Sequence, residues 1–117
     1  MYTNFEKLDI YNDSVSLAQE IWELTIRIKG KCPSYLTNQI CRAADSIGAN
    51  IAEGCGKGSR ADKRRFVVIS RGSGFEVKHW LKLLHLRGYM SQHRLDTLSK
   101  KLNILLRRLS SFIRSLS

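Results

Sequence analysis

The chain has 117 residues, 43% of them hydrophobic, with 20 Lys and Arg against 10 Asp and Glu, a formal charge of +10. That length suits one domain and is too short for two, and the composition excludes a disordered chain. No apolar run approaches the roughly 20 residues that a membrane-spanning helix requires. The opening stretch Met1-Tyr2-Thr3-Asn4-Phe5-Glu6-Lys7 has neither an apolar signal core nor the acid-free basic character of a transit peptide, so a cytoplasmic protein without a membrane partner is expected.

Charge is distributed unevenly. Residues 1–23 hold Lys7 against Glu6, Asp9, Asp13, Glu20 and Glu23, a net of −4. Residues 57–117 hold 15 bases against Asp62, Glu76 and Asp96, a net of +12. A half this cationic points to a polyanionic partner, RNA or DNA above all.

Breaks at Gly30-Lys31-Cys32-Pro33, Gly54-Cys55-Gly56-Lys57-Gly58 and Gly88-Tyr89 divide the chain into four periodic stretches. The first predicts a helix over about 9–29, with Val15, Ala18, Ile21, Trp22, Thr25 and Ile28 at three- and four-residue steps. The second predicts a helix over 34–53. Leu36, Ile40, Ala43, Ile47 and Ile51 form its apolar stripe, Ala43, Ala44, Gly48 and Ala49 permit close approach of a neighbour, and Gly54 stands where a carboxy-terminal cap belongs.

The third helix is expected over 60–87. Ser59 and Asp62 resemble a capping box, Phe66, Ile69, Ser73, Val77, Trp80 and Leu84 trace a buried face, and Gly88 caps the end. Gly72 and Gly74 imply tight packing or a bend within it. The fourth helix is expected over 92–115 with Ser91 as its amino-terminal cap. Its seam Leu95, Leu98, Leu102, Leu105, Leu109, Phe112 and Leu116 alternates steps of three and four. Four amphipathic helices joined by short connections make an all-α, antiparallel up-down-up-down four-helix bundle.

At 100° per residue, Arg60, Arg64, Arg71, Lys78 and Lys82 fall within about 40° of one another and form a basic ridge along the third helix. Lys63 flanks the ridge, His85 lies near its line and Arg65 lies off it. The fourth helix carries two rows. Lys100, Arg107 and Arg114 lie opposite the leucine seam, and Arg94, Lys101 and Arg108 lie along its edge. Few acids occupy the i±4 positions that would neutralise these cations, and unneutralised arginine suits bidentate contact with phosphate. No recognition helix or aromatic RNA-binding signature accompanies them, so backbone and shape readout are expected.

Other chemistry finds little support. Gly54-Cys55-Gly56-Lys57-Gly58-Ser59 lacks the Gly-Lys-Ser/Thr order and the earlier glycine of a phosphate loop, and it reads as a flexible turn able at most to hold one phosphate. Cys32, Cys41 and Cys55 are odd in number and unsuited to a disulfide framework. With His79, His85 and His93 they offer no metal-ligand spacing, so no metal, cofactor or nucleophilic site is expected. Glu53 and Glu76 are expected to be partly buried in a structural role, such as pairing with Arg42. No residue is assigned to catalysis.

The run Ile40-Cys41-Arg42-Ala43-Ala44-Asp45-Ser46-Ile47-Gly48-Ala49-Asn50-Ile51-Ala52-Glu53-Gly54-Cys55-Gly56-Lys57-Gly58-Ser59 resembles the signature I-x-R-A-A-x-S-I-x-x-N-I-A-E-G-x-G-[RK]-x-S of the small four-helix bundle protein family. Phe5-Glu6-Lys7-Leu8-Asp9-Ile10-Tyr11 resembles the family opening F-E-x-L-x-V-W, Gly72-Ser73 with Glu76 its G-S-x-x-E, and Leu86 to Tyr89 its L-x-Y ending. The family includes proteins encoded in intervening sequences of bacterial large-subunit ribosomal RNA and the accessory variability determinant of diversity-generating retroelements. The resemblance implies a homopentameric barrel and no enzymatic activity. In the retroelement branch it implies binding to RNA or DNA and to a reverse transcriptase. Where family members read near K-x-E-F after the signature serine, this chain has Asp62-Lys63-Arg64-Arg65-Phe66, an excess of positive charge that fits the retroelement branch better.

Overall fold

Each helix ends where its local chemistry stops it. The computed structural model describes residues 4–117; the first three residues, part of the opening stretch inspected for targeting signals, lie outside the described residues. A 3-10 turn over Phe5–Lys7 is followed by α1 (Asp9–Ile28), α2 (Ser34–Lys57), α3 (Arg60–Leu86) and α4 (Gln92–Ser115). The side chains of Ser59 and Ser91 cap α3 and α4 as expected, accepting from the amides of Asp62 at 3.0 Å and Arg94 at 3.1 Å. Gly30, Gly58 and Gly88 take φ of +86°, +84° and +85° in the three connections, a conformation that glycine adopts without steric cost.

With connections this short, successive helices run antiparallel and pack in chain order, and α4 returns to α1. The result is an all-α four-helix bundle measuring 46 × 21 × 19 Å. No helix among the described residues is long and apolar enough to cross a membrane.

α2 runs one turn beyond the predicted 34–53. Gly54 is not its cap but a buried interior residue facing α3, where a Cβ would stand 2.8 Å from Phe66 Cβ and 3.3 Å from the Lys63 carbonyl. The helix ends at Gly58 instead. Gly74 and Gly48 serve similarly, since Cβ atoms there would meet Leu106 Cδ2 at 2.8 Å and Ser14 Oγ at 2.9 Å. Beside these close approaches, the buried Ser70 hydroxyl donates to the Ile47 carbonyl at 2.8 Å and ties α3 to α2.

Two predicted stripes are rotated relative to the structure. α1 buries Ile10, Ser14, Leu17, Ile21, Leu24 and Thr25, and leaves Val15 and Trp22 47% and 51% exposed. Both sets obey the helical period, so periodicity alone cannot choose between them. α3 buries Phe66, Val67, Ser70, Gly74, Val77, Leu81 and Leu84, while Ile69 is 42% exposed and Ser73 and Trp80 sit at the edge. The leucine seam of α4 holds at Leu98, Leu102, Leu105 and Leu109, with Leu106 and Ile113 buried beside them.

The glycines divide into two kinds. A Cβ at Gly56 or Gly72 would meet nothing within 4 Å. Gly72→Ala and Gly56→Ala should therefore each stabilise the protein by about 0.5–1 kcal/mol through helix propensity. Gly54→Ala and Gly74→Ala should each destabilise it by about 1–3 kcal/mol through overpacking. Thermal unfolding of the four variants checks the opposite signs, and destabilisation by Gly72→Ala would contradict the open surroundings seen at that position.

Burial pushes the thiols of Cys32 and Cys55 above their ordinary value of 9.0, opposed in part by Arg87 and Lys63 respectively. The neutral thiol is the form the fold favours. This contribution to stability is complete below pH 9 and is lost as pH rises through the higher folded values. At pH 8, iodoacetamide should modify both thiols at least about tenfold more slowly in the native protein than in urea; equal rates would contradict their burial.

Candidate nucleic-acid interface

The buried face of α3, from Val67 to Leu84, turns the basic ridge toward α4. Arg60 donates to the Ser115 carbonyl at 2.7 Å, Arg71 to Ser110 Oγ at 3.2 Å and Lys78 to Asn103 Oδ1 at 3.3 Å. These bonds are to neutral groups, so they hold the side chains along the α3–α4 junction without cancelling their charge. Arg64 and Lys82 are exposed on the same ridge.

Asn103 and Ser110 lie on α4 at three- and four-residue steps from Lys100, Arg107 and Arg114. The outer row of α4 therefore stands beside the α3 ridge on one side of the bundle. Lys100 and Arg107 border a shallow depression with Asp96, Ser99, Asn103 and Ile104. Among the described residues, the side chains of Arg64, Lys82, Lys100, Arg107 and Arg114 have no hydrogen-bond or ion-pair partner. Asp96, the acid on this side of α4, accepts from Gln92 at 2.8 Å.

The second row of α4 has a different fate. Lys101 pairs with Glu20 and also donates to Ser16 at 2.9 Å, and Arg108 pairs with Asp13. The acids that neutralise this row come from α1, not from i±4 positions on α4. The anionic amino-terminal segment and the cationic carboxy-terminal half thus meet at the α1–α4 junction.

Lys63 departs from the expected site. It is half-buried on the side of α3 that meets the end of α2, near Cys55, and it does not flank the open ridge. Arg65 lies off the ridge as expected. It pairs with Asp62 at 3.4 Å and stacks 4.4 Å from the centre of the Phe66 ring, with Lys57 5.8 Å from the same ring. The glycine-rich string also departs from its reading as a flexible turn. Residues through Lys57 are helical, so the Gly54 and Gly56 amides belong to the helix backbone and cannot wrap a phosphate. Glu53 and Glu76 are exposed, not partly buried. Glu76 accepts from Trp80 Nε1 at 3.0 Å, and neither acid pairs with Arg42.

One surface was missed because its residues were placed in the core. Between α1 and α2 lies an apolar groove of about 600 Å³, with Val15, Ala18 and Trp22 along one wall and Gly48, Ala49 and Ala52 along the other. Phe5, edge-on to Tyr11 at 4.8 Å between ring centres, adds its ring to the lining. A second apolar stripe on α1, offset from the first, was the signal available in the sequence.

No curated protein matches the chain. Among solved structures, a protein of unknown function from the S23 ribosomal protein family of Bacteroides thetaiotaomicron is similar, with a TM-score of 0.80 and 25% sequence identity over 89% of this chain and 97% of that one. The sequence profile of the 23S rRNA-intervening sequence protein family matches residues 6–111. With that match across nearly the whole chain and the same four-helix fold in a solved relative, this chain belongs to the 23S rRNA-intervening sequence protein family.

Proposed function

We propose that this protein is a non-enzymatic accessory factor that binds RNA or DNA through the α3–α4 face. It acts as a homopentamer beside a reverse transcriptase in the manner of a diversity-generating retroelement. The observation that carries the nucleic-acid reading is the side-by-side placement of the α3 ridge and the outer α4 row. Five of those cations have no partner within the chain among the described residues, while Lys101 and Arg108 are already neutralised. Such a face attracts phosphates by releasing counterions and reads backbone and shape with little base specificity. The reverse transcriptase and the five-subunit assembly rest on the family resemblance and on the basic run Lys63-Arg64-Arg65 that follows the signature.

A second reading keeps the family and drops the reverse transcriptase. The profile match favours a protein encoded within a ribosomal RNA intervening sequence, with a structural or protein-interaction role. Genomic position separates the two: a neighbouring reverse transcriptase and template repeat, or a gene lying within a ribosomal RNA gene.

The binding test uses a structured RNA and a DNA duplex across a salt series. Affinity should fall steeply with salt, and reversing Arg64, Lys82 and Arg107 together should reduce the slope of log K against log salt by about 0.7–0.9 per lost phosphate contact. These side chains are exposed, so helicity should persist in the triple variant. Unchanged affinity in a folded triple variant, or no binding by the wild type at low salt, would remove the nucleic-acid reading.

A further inference from the structure

Two unpartnered apolar surfaces occur on this chain, and they differ in shape and charge. The first is the α1–α2 groove, whose floor of Ala18, Gly48, Ala49 and Ala52 is walled by Val15 and Trp22. Small residues make it a recess that admits a projecting side chain or a closely approaching helix. Asp45 lines it, and Glu23 follows Trp22 at its edge. Neither acid takes part in an ion pair among the described residues.

The second surface is the outward stripe of α3. Phe75 projects from it 56% exposed, with Ile69 at 42% and Leu86 at 74%. Gly72 sits one turn before Phe75 with open space where a Cβ would be. This glycine costs helix stability and answers no packing need within the chain, unlike Gly54 and Gly74. A helix that keeps a bare turn beside a projecting ring can be approached closely from outside. Arg71, Lys78 and Lys82 border the stripe on its α4 side.

Recess meets projection, and acidic edge meets basic edge. We infer that the α1–α2 groove of one copy receives the Gly72–Phe75 segment of α3 from a second copy. This assignment rests on the self-association included in the function proposed above. It adds which surfaces meet and of what kind the contact is. Because the two surfaces are different, every copy offers both, and the contact is head-to-tail: it repeats from copy to copy until a ring closes or a filament grows. Charge selects this pairing over groove against groove, which would set Asp45 and Glu23 of both copies together. Lys100, Arg107 and Arg114 point outward from α4, away from the stripe, and stay open to nucleic acid.

The test uses two single variants at exposed positions, Ala49→Arg, which fills the groove, and Phe75→Glu, which removes the projection. Circular dichroism should show wild-type helicity for both. Light scattering after gel filtration should give an assembly larger than a dimer for the wild type and a monomer of about 13.4 kDa for each variant. An equimolar mixture of the two variants should then yield a one-to-one dimer and nothing larger. The intact stripe of Ala49→Arg fits the intact groove of Phe75→Glu, and neither remaining surface can continue the chain. A wild type that is monomeric or stops at a dimer would overturn both self-association as a ring and this pairing. A wild type larger than a dimer, with folded variants that keep its mass or a mixture that stays monomeric, would overturn the pairing alone.

Discussion

The bundle depends on how closely α2 and α3 approach. Gly54 lets the Phe66 side chain reach the α2 backbone, and the Ser70 hydroxyl reaches the Ile47 carbonyl across the same interface. Only two residues, Gly58 and Ser59, separate these helices, so the left-handed turn at Gly58 and the cap at Ser59 must work together. Interiors this dense do not yield gradually, since a single added methyl meets backbone or a packed side chain. The rotation of α3 about its axis is set here. Everything its outer side presents, ridge and stripe alike, follows from that rotation.

The same rotation sorts the charges. Once Val67, Gly74 and Leu81 face inward, Arg60, Arg71 and Lys78 lie along α4 and find neutral oxygen acceptors there. α1 occupies the other flank of α4 and brings Asp13 and Glu20 to Arg108 and Lys101. These ion pairs are partly exposed, so each contributes on the order of 1 kcal/mol or less to stability. Their larger consequence is electrostatic. They leave one side of the bundle neutral and the other strongly positive, so a polyanion has one face to bind.

The apolar surface is distributed by a related logic. A four-helix bundle buries one stripe per helix, and α1 and α3 each carry more apolar residues than one stripe accommodates. The surplus lies outside as Val15, Trp22, Ile69 and Phe75. Contiguous exposed apolar residues beside small-residue floors are a common mark of interaction surfaces. Here they lie apart from the open α4 row, so assembly and anion binding need not compete for the same side chains.

The sequence by itself determined the features that depend on neighbours a few residues away. Helix number and nearly all boundaries, the caps at Ser59, Ser91 and Gly88, the leucine seam and the cationic second half were all legible, because helical period, capping and net charge are local properties. The cations of the α3 ridge and outer α4 row were legible too, apart from Lys63, because a regular helix fixes which residues align. Tertiary structure decided what two overlapping patterns left open. It placed Leu17 inside and Trp22 outside, made Gly54 a contact and not a cap, and drew Lys63 against the end of α2. It also neutralised Lys101 and Arg108 with acids 81 and 95 residues away. Each of these outcomes turns on which helix stands beside which and how close it comes, a relation that no local pattern carries.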